Sequence, residues 1–231
     1  MGRGLAYEKL GRDQEAMADY KKIKYMAALH FLSSASNKYG KPELIQDVEK
    51  VVKIGSDFWF DYTECARLYV SVKQHQQAID VLSKAVELNP NIDETYLVRG
   101  INYSILGQDQ KAIDDYTKAI ELNPEFADAY YFRGNIKKEL NQDREAIDDF
   151  TKAIKFAVDV AMKANSYRGR GLVYWKIYSL SAACDDYYQA GLLYLEQGER
   201  AEALECVDTI KQIDSTSSLS KKLMDKIYEE E

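Results

Sequence analysis

Residues 96–124 read YLVRGINYSILGQDQKAIDDYTKAIELNP, and the spacing inside this stretch decides the fold. Tyr96, Gly100 and Tyr103 step by four and then three, as do Ala112, Tyr116 and Ala119, so each set lies along one face of a helix. Shifted forward by 34 residues, the same positions hold Tyr130, Gly134, Ala146, Phe150 and Ala153. Shifted back by 34, they hold Tyr62, Ala66, Tyr69, Ala78, Leu82 and Ala85. A fourth copy, displaced by three further residues, holds Tyr167, Gly171, Tyr174, Ala183, Tyr187 and Ala190. Self-similarity at this period predicts stacked helix pairs.

The residue types agree with the spacing. A small residue on the first helix of a pair lets the second helix approach, and the alanines on the second helix do the same for the next pair. The aromatics fill the gaps. Leu106-Gly107 and Leu140-Asn141 suit the turn inside a pair, because Gly and Asn tolerate the left-handed backbone that ends a helix. Asn89-Pro90 and Asn123-Pro124 stop the second helix, since proline cannot continue it. Period, pattern and punctuation over residues 59–190 resemble the tetratricopeptide repeat family. The resemblance implies an all-α helical-repeat solenoid, a right-handed superhelix of helix–turn–helix pairs, with a concave groove that binds peptides or proteins.

Composition narrows the function classes. The formal charge of −7 argues against nucleic acid, which needs clustered Lys and Arg. No apolar run reaches the length of a membrane span, and no leader-like segment opens the chain, so a cytoplasmic location is expected. Cys65, Cys184 and Cys206 form no CxxC and leave an odd count, which reads as three buried, reduced thiols. His30 and His75 are too far apart for a helical metal pair, and no metal or cofactor is expected. Asn102-Tyr103-Ser104 has the form of a glycosylation sequon but falls inside a helix.

Taken in order, residues 1–58 read as a partial repeat (Gly4, Tyr7, Gly11, Ala16, Tyr20) followed by a degenerate one. Nothing before Gly4 begins the first helix, so either the chain is a piece of a longer array, the reading favoured by an uncapped stacking face, or its first helix is short. Residues 59–163 hold three regular repeats, and 164–217 a fourth that overlaps a C-terminal repeat. Tyr187 would serve both, so one long helix is expected over Ser181–Gln197. At the Phe156–Lys163 slip, the second helix of the third copy is expected to run about one turn further than its fellows. A capping helix over 218–231 carries Leu219, Leu223, Met224, Ile227 and Tyr228.

Candidate chemistry is sparse. Asp114-Asp115, Asp148-Asp149 and Asp185-Asp186 look like paired carboxylates, but adjacent helical residues do not face each other. A solvated face is expected, with Asp80, Asp114 and Asp148 pairing with Lys84, Lys118 and Lys152 four residues on. No nucleophile–base arrangement or phosphate loop occurs, so the chain reads as non-enzymatic. The informative surface is the remaining face of each first helix. It carries Leu97, Val98, Ile101 and Ile105 in the second regular copy, Tyr131, Phe132 and Asn135 in the third, and Arg168, Leu172 and Trp175 in the fourth. Leu97, Ile101, Tyr131 and Phe132 are expected to form one apolar patch rimmed by Glu94, Asp128, Asn135, Lys138 and Arg168, with the stacking face elsewhere. The cations with which related repeats clamp a C-terminal carboxylate are missing from those positions. The expected role is a protein-binding scaffold that takes an apolar or amphipathic partner segment. The alternatives are a homo-oligomerising assembly module and the adaptor domain of a larger protein.

Overall fold

The computed structural model describes residues 52 and 59–229. The expected partial repeat and all of the degenerate one except Val52 lie outside the described residues, as do the last two glutamates. Among the described residues there are ten helices of more than one residue and no strand: α1 Trp59–Ser71, α2 His75–Leu88, α3 Asp93–Ile105, α4 Asp109–Leu122, α5 Ala127–Glu139, α6 Asp143–Phe156, α7 Val160–Lys176, α8 Leu180–Glu196, α9 Arg200–Ile213 and α10 Ser218–Glu229. They fall into two compact units, one ending at Gln108 and the other beginning at Asp109.

In the first unit α1 packs on α2 and α2 on α3. The buried cluster contains every position that the period picks out on α1 and α2: Tyr62, Ala66, Tyr69, Ala78, Leu82 and Ala85, with Cys65, Leu68 and Val81 filling beside them. Helix α3 ends where glycine permits it. Gly107 has φ 69°, its N–H donates to the Ser104 carbonyl, and the Gln108 N–H reaches back to Tyr103 at 2.9 Å. At the other connection Asn89 ends α2, and the Tyr96 hydroxyl donates to the Pro90 carbonyl at 3.1 Å. The aromatic of the signature thus holds the proline stop that precedes its own helix.

The second unit runs α4 to α10, each helix packing on the next, with α7 also touching α5 and α10 touching α8. The same turn chemistry recurs at Asn141 (φ 59°) and Gly198 (φ 76°), and Tyr130 holds the Pro124 carbonyl as Tyr96 holds Pro90. Gly134 and Gly171 are closely approached, as their place in the signature predicts. A Cβ on Gly134 would stand 3.2 Å from the Phe150 ring and 3.3 Å from Asp149 Cβ on α6; one on Gly171 would stand 3.2 Å from both Asp186 Cβ and the Tyr187 ring on α8.

Helix α8 is continuous over Leu180–Glu196, so one helix does serve two overlapping signatures. The slip before it differs from expectation. Helix α6 stops at Phe156 with 14 residues, the same length as α2 and α4, and the additional residues lengthen the start of α7. Ala157 turns to extended backbone, and the Asp159 carboxylate accepts the Met162 N–H at 2.7 Å, capping α7 one turn early. At the C-terminus α10 buries Leu223 and Ile227, half-buries Leu219 and Met224, and leaves Tyr228 exposed beneath Arg200. All three cysteines are buried and unbridged, and burial pushes the Cys206 thiol up to about 12.

Two glycines test this packing with opposite expectations. A Cβ on Gly169 would lie 2.7 Å from the fully buried Phe150 ring, whereas one on Gly191 would meet a methyl end of Leu223, which is buried as well. Gly169→Ala should lower unfolding stability by about 1–3 kcal/mol and Gly191→Ala by less, because the end of a leucine side chain has alternative rotamers even in a packed interior while a rigid ring moves only as a whole. Urea midpoints of the two variants check the order.

Candidate functional site

The expected surface residues divide between the two units, and each part has its own geometry. On α3, Val98 and Ile105 are exposed while Leu97 and Ile101 are half-buried. Val98 borders a hollow of about 390 Å³ lined by α1 and α3, with the buried Leu82 of α2 among its walls. Its apolar sides are Trp59, Phe60, Val70 and Ile92, and its polar edge is Thr63, Glu64, Arg67 and Glu94. Trp59 meets Phe60 edge-on at 5.9 Å, and Phe60 is 56% exposed. Sequence reasoning missed this aromatic pair, although it heads the first regular copy three residues before the signature tyrosine.

In the second unit α5 presents Tyr131, Phe132 and Asn135. Phe132 stacks on Tyr116 with centroids 6.0 Å apart and meets Tyr131 edge-on, while Tyr131 leans on the buried Phe150 at 6.1 Å. Both rings are therefore half inside the packing of α4, α5 and α6, which corrects the expectation that the stacking face lies wholly elsewhere. Asn135 donates to the Tyr131 carbonyl and accepts from Lys138. On α7 the stripe Asn165, Arg168, Leu172, Trp175 is more open, with Leu172 and Trp175 both exposed. Arg168 donates to the Tyr194 hydroxyl of α8 at 3.4 Å, and that hydroxyl donates to Asn165 at 2.8 Å. Burial pushes the Tyr194 phenol up, the adjacent Arg168 pulls it down, and the Tyr131 phenol also acts on it.

The carboxylate pairs depart from expectation. The first member of each, Asp114, Asp148 and Asp185, is exposed, but Asp115, Asp149 and Asp186 are buried. One residue is about 100° of rotation on a helix, enough to carry the second carboxylate under the neighbouring first helix. There the Asp149 carboxylate accepts two bonds from Arg133 (2.9 and 2.7 Å) and one from Lys137 (2.7 Å), while Arg133 also donates to Thr117. Arg170 repeats the arrangement with Asp186, at 2.8 Å twice, and with Thr151. One arginine thus fastens three helices. The missed signal was an Arg directly before the packing glycine and an Asp sixteen residues on. The lysines act elsewhere too: Lys84 and Lys152 lie over the Tyr62 and Tyr130 rings, and Lys118 pairs with Glu121. In the sequon, Asn102 is buried, donates to the Val98 carbonyl and holds His75 at 2.8 Å, so it offers no amide for a glycan.

Sequence patterns described as "Tetratricopeptide repeat" match residues 1–28, 62–92 and 127–157, and one described as "TPR repeat" matches 100–141, together just over half of the chain. The chain belongs to the tetratricopeptide repeat family. Its class is the all-α helical-repeat solenoid. Among solved structures, one of MamA is 23% identical over 73% of this chain and 96% of its own, with a TM-score of 0.66. YrrB, titled a TPR protein with an unusual peptide-binding site, is 21% identical over 77% and 97%, with a TM-score of 0.52. A tetratricopeptide repeat protein from Parabacteroides merdae ATCC 43184 is 16% identical over 98% and 96%, with a TM-score of 0.57. These likenesses are of fold. No curated protein matches the sequence.

The buried carboxylates make a sharp prediction. Asp149→Asn leaves Arg133 and Lys137 without their counter-charge and should cost about 3–5 kcal/mol, whereas Asp148→Asn beside it should stay within about 0.5 kcal/mol of the parent. Denaturant unfolding of both variants checks the contrast.

Proposed function

We propose that this tetratricopeptide repeat protein is a non-enzymatic scaffold whose first-helix faces hold an apolar or amphipathic segment of a partner protein. The observation that carries this is the set of apolar side chains left open on those faces. Phe60 and Val98 border a 390 Å³ hollow in the first unit, and Leu172 and Trp175 stand exposed on α7 in the second. Large apolar side chains gathered in a concave site with a polar edge have the anatomy of a binding surface, where a few aromatic anchors supply most of the affinity. The peptide-binding site of YrrB is a precedent for the same use of the fold. Tyr131 and Phe132 support the surface from beneath as much as they line it.

Self-association is the second reading. It is favoured by a separate observation: Ile177, Tyr178 and Leu180 are exposed together at the α7–α8 turn, with Tyr178 87% exposed. Light scattering at several concentrations distinguishes the two. A constant mass of about one chain excludes self-association, and a mass that climbs with concentration supports it.

For segment binding, the probe is a displayed library of random twelve-residue peptides selected on the folded chain. Phe60→Ala combined with Val98→Ser should weaken a peptide selected at that hollow by about 1–3 kcal/mol. The unfolding midpoint should barely change, since both side chains are exposed. Selection of no peptide, or a double variant that unfolds early while the exposed surface binds as before, would count against the hollow as a site.

A further inference from the structure

We infer that Arg168 is a specificity determinant for partner segments carrying an acidic side chain among apolar residues, with the carboxylate seated against α7 in the second unit. This rests on the segment-binding role proposed above and adds the chemistry of the segment. The three groove-side cations of the second unit's regular repeats that could take a carboxylate are not equivalent. Lys138 is engaged by Asn135 at 3.2 Å and Glu139 at 3.3 Å, and Lys176 by Asn141 at 2.8 Å and Asp143 at 2.6 Å. Among the described residues no carboxylate lies within 4.0 Å of Arg168; the one hydrogen-bond partner recorded for it is the neutral Tyr194 hydroxyl. Glu205 acts on it electrostatically from further away.

That distribution contrasts with the two structural arginines. Arg133 and Arg170, each directly before a packing glycine, spend three N–H groups on a buried aspartate and a threonine. Arg168 sits three residues before Gly171, where the preceding copies hold Leu97 and Tyr131, so it is not part of the repeat's own fastening. A guanidinium carries five N–H donors in a planar fork that matches a carboxylate, and Arg168 uses one of them at 3.4 Å. The Tyr194 ring, 6.0 Å from its centre, and the bond to the phenol hold the fork in place before anything binds. Leu172 and Trp175, four and seven residues on, continue the same stripe with exposed apolar surface. A half-buried cation with no carboxylate within ion-pair distance, set beside apolar side chains, is complemented by an acidic residue flanked by apolar ones. A terminal main-chain carboxylate is a poorer fit, because clamping it takes several free donors and the neighbouring Asn135 and Lys138 are committed to each other.

The test uses the full chain and arrayed twelve-residue peptides, each C-terminally amidated or left as the free acid. Peptides bound by the parent should be enriched in Asp or Glu between apolar residues. For a selected peptide, replacing that Glu by Gln should weaken binding at least about tenfold, the effect of a charge-assisted bond, and amidation should change nothing. Arg168→Gln should erase the preference for Glu over Gln while leaving the neutral peptide's affinity unchanged; Arg168→Lys should keep it; Arg168→Glu should reverse it toward Lys-bearing peptides. The reversal is read as a ratio between two peptides on one variant, so a modest loss of stability does not obscure it. Binders without acidic preference, or an equal loss of both peptides on Arg168→Gln, would overturn the assignment and leave segment binding intact. Binding abolished by amidation would overturn it in favour of a terminal carboxylate. An array with no binders would remove segment binding as well.

Discussion

Much of the second unit depends on how near two helix backbones can come to the Phe150 ring. That ring is fully buried on α6, and ideal Cβ atoms on Gly134 of α5 and Gly169 of α7 would lie 3.2 and 2.7 Å from it. A side chain at 169 would force the ring or the helix to move, one at 134 would need the ring to give by a few tenths of an ångström, and an interior packed to crystal density resists both. The joint also sets what the outer faces can be. With α5 and α7 fixed against one ring, Tyr131 is drawn onto Phe150 at 6.1 Å, while the stripe from Asn165 to Trp175 is turned away from it.

The buried ion pairs add orientation to that proximity. Desolvating Asp149 and Asp186 is costly, and a hydrophobic substitute for the whole set would often be as stable. What a carboxylate held by a two-pronged guanidinium supplies is direction: a bidentate pair fixes the rotation of one helix against another, which interchangeable aliphatic contacts do not. Because Arg133 also reaches Thr117 and Arg170 reaches Thr151, each arginine ties its own pair to the preceding one. The spacing between Arg170 and its threonine is three residues longer than in the preceding copy, as is the chain at the slip, and the contact survives because the additional residues are taken up at the start of α7.

How much of this was legible follows from which features repeat and which depend on rotation. The stacking positions and the turns at Gly107 and Asn141 repeat with the period, and the shared helix α8 shows where two copies of the signature overlap at Tyr187. The four-then-three step that names one helix face makes the stacking positions and the overlap readable. The burial of Asp149 was not, because it turns on a single residue step between a solvated position and one beneath a neighbouring helix. The end of α6 was not either. The run Ala-Val-Asp-Val-Ala-Met is compatible with helix throughout, and only the Asp159 cap, bonded to Met162, determines which helix owns it. At the candidate surface, Leu172, Trp175 and Val98 lie exposed on the face where the spacing places them, but Tyr131 and Phe132, placed on the same face, also reach into the packing, because aromatic side chains are long enough to touch both sides. Trp59 and Phe60 escaped notice because they precede the signature, where the period gives no expectation.

Helix α7 shows how one segment can be constrained on one side and free on the other. Gly169, Gly171 and Val173 are buried, and Arg170 is committed to Asp186, so that side answers to packing alone. Asn165, Arg168, Leu172 and Trp175 answer to almost none of it. The side-chain hydrogen bonds recorded for Asn165 and Arg168 run through Tyr194, which is itself buried and can hold Arg168 without requiring it. Substitutions on the first side are paid in stability, and those on the second leave the stack intact. Under the proposed segment-binding role, side chains at 168, 172 and 175 can change without disturbing the joint at Phe150, which is how one repeat architecture can serve unrelated partners.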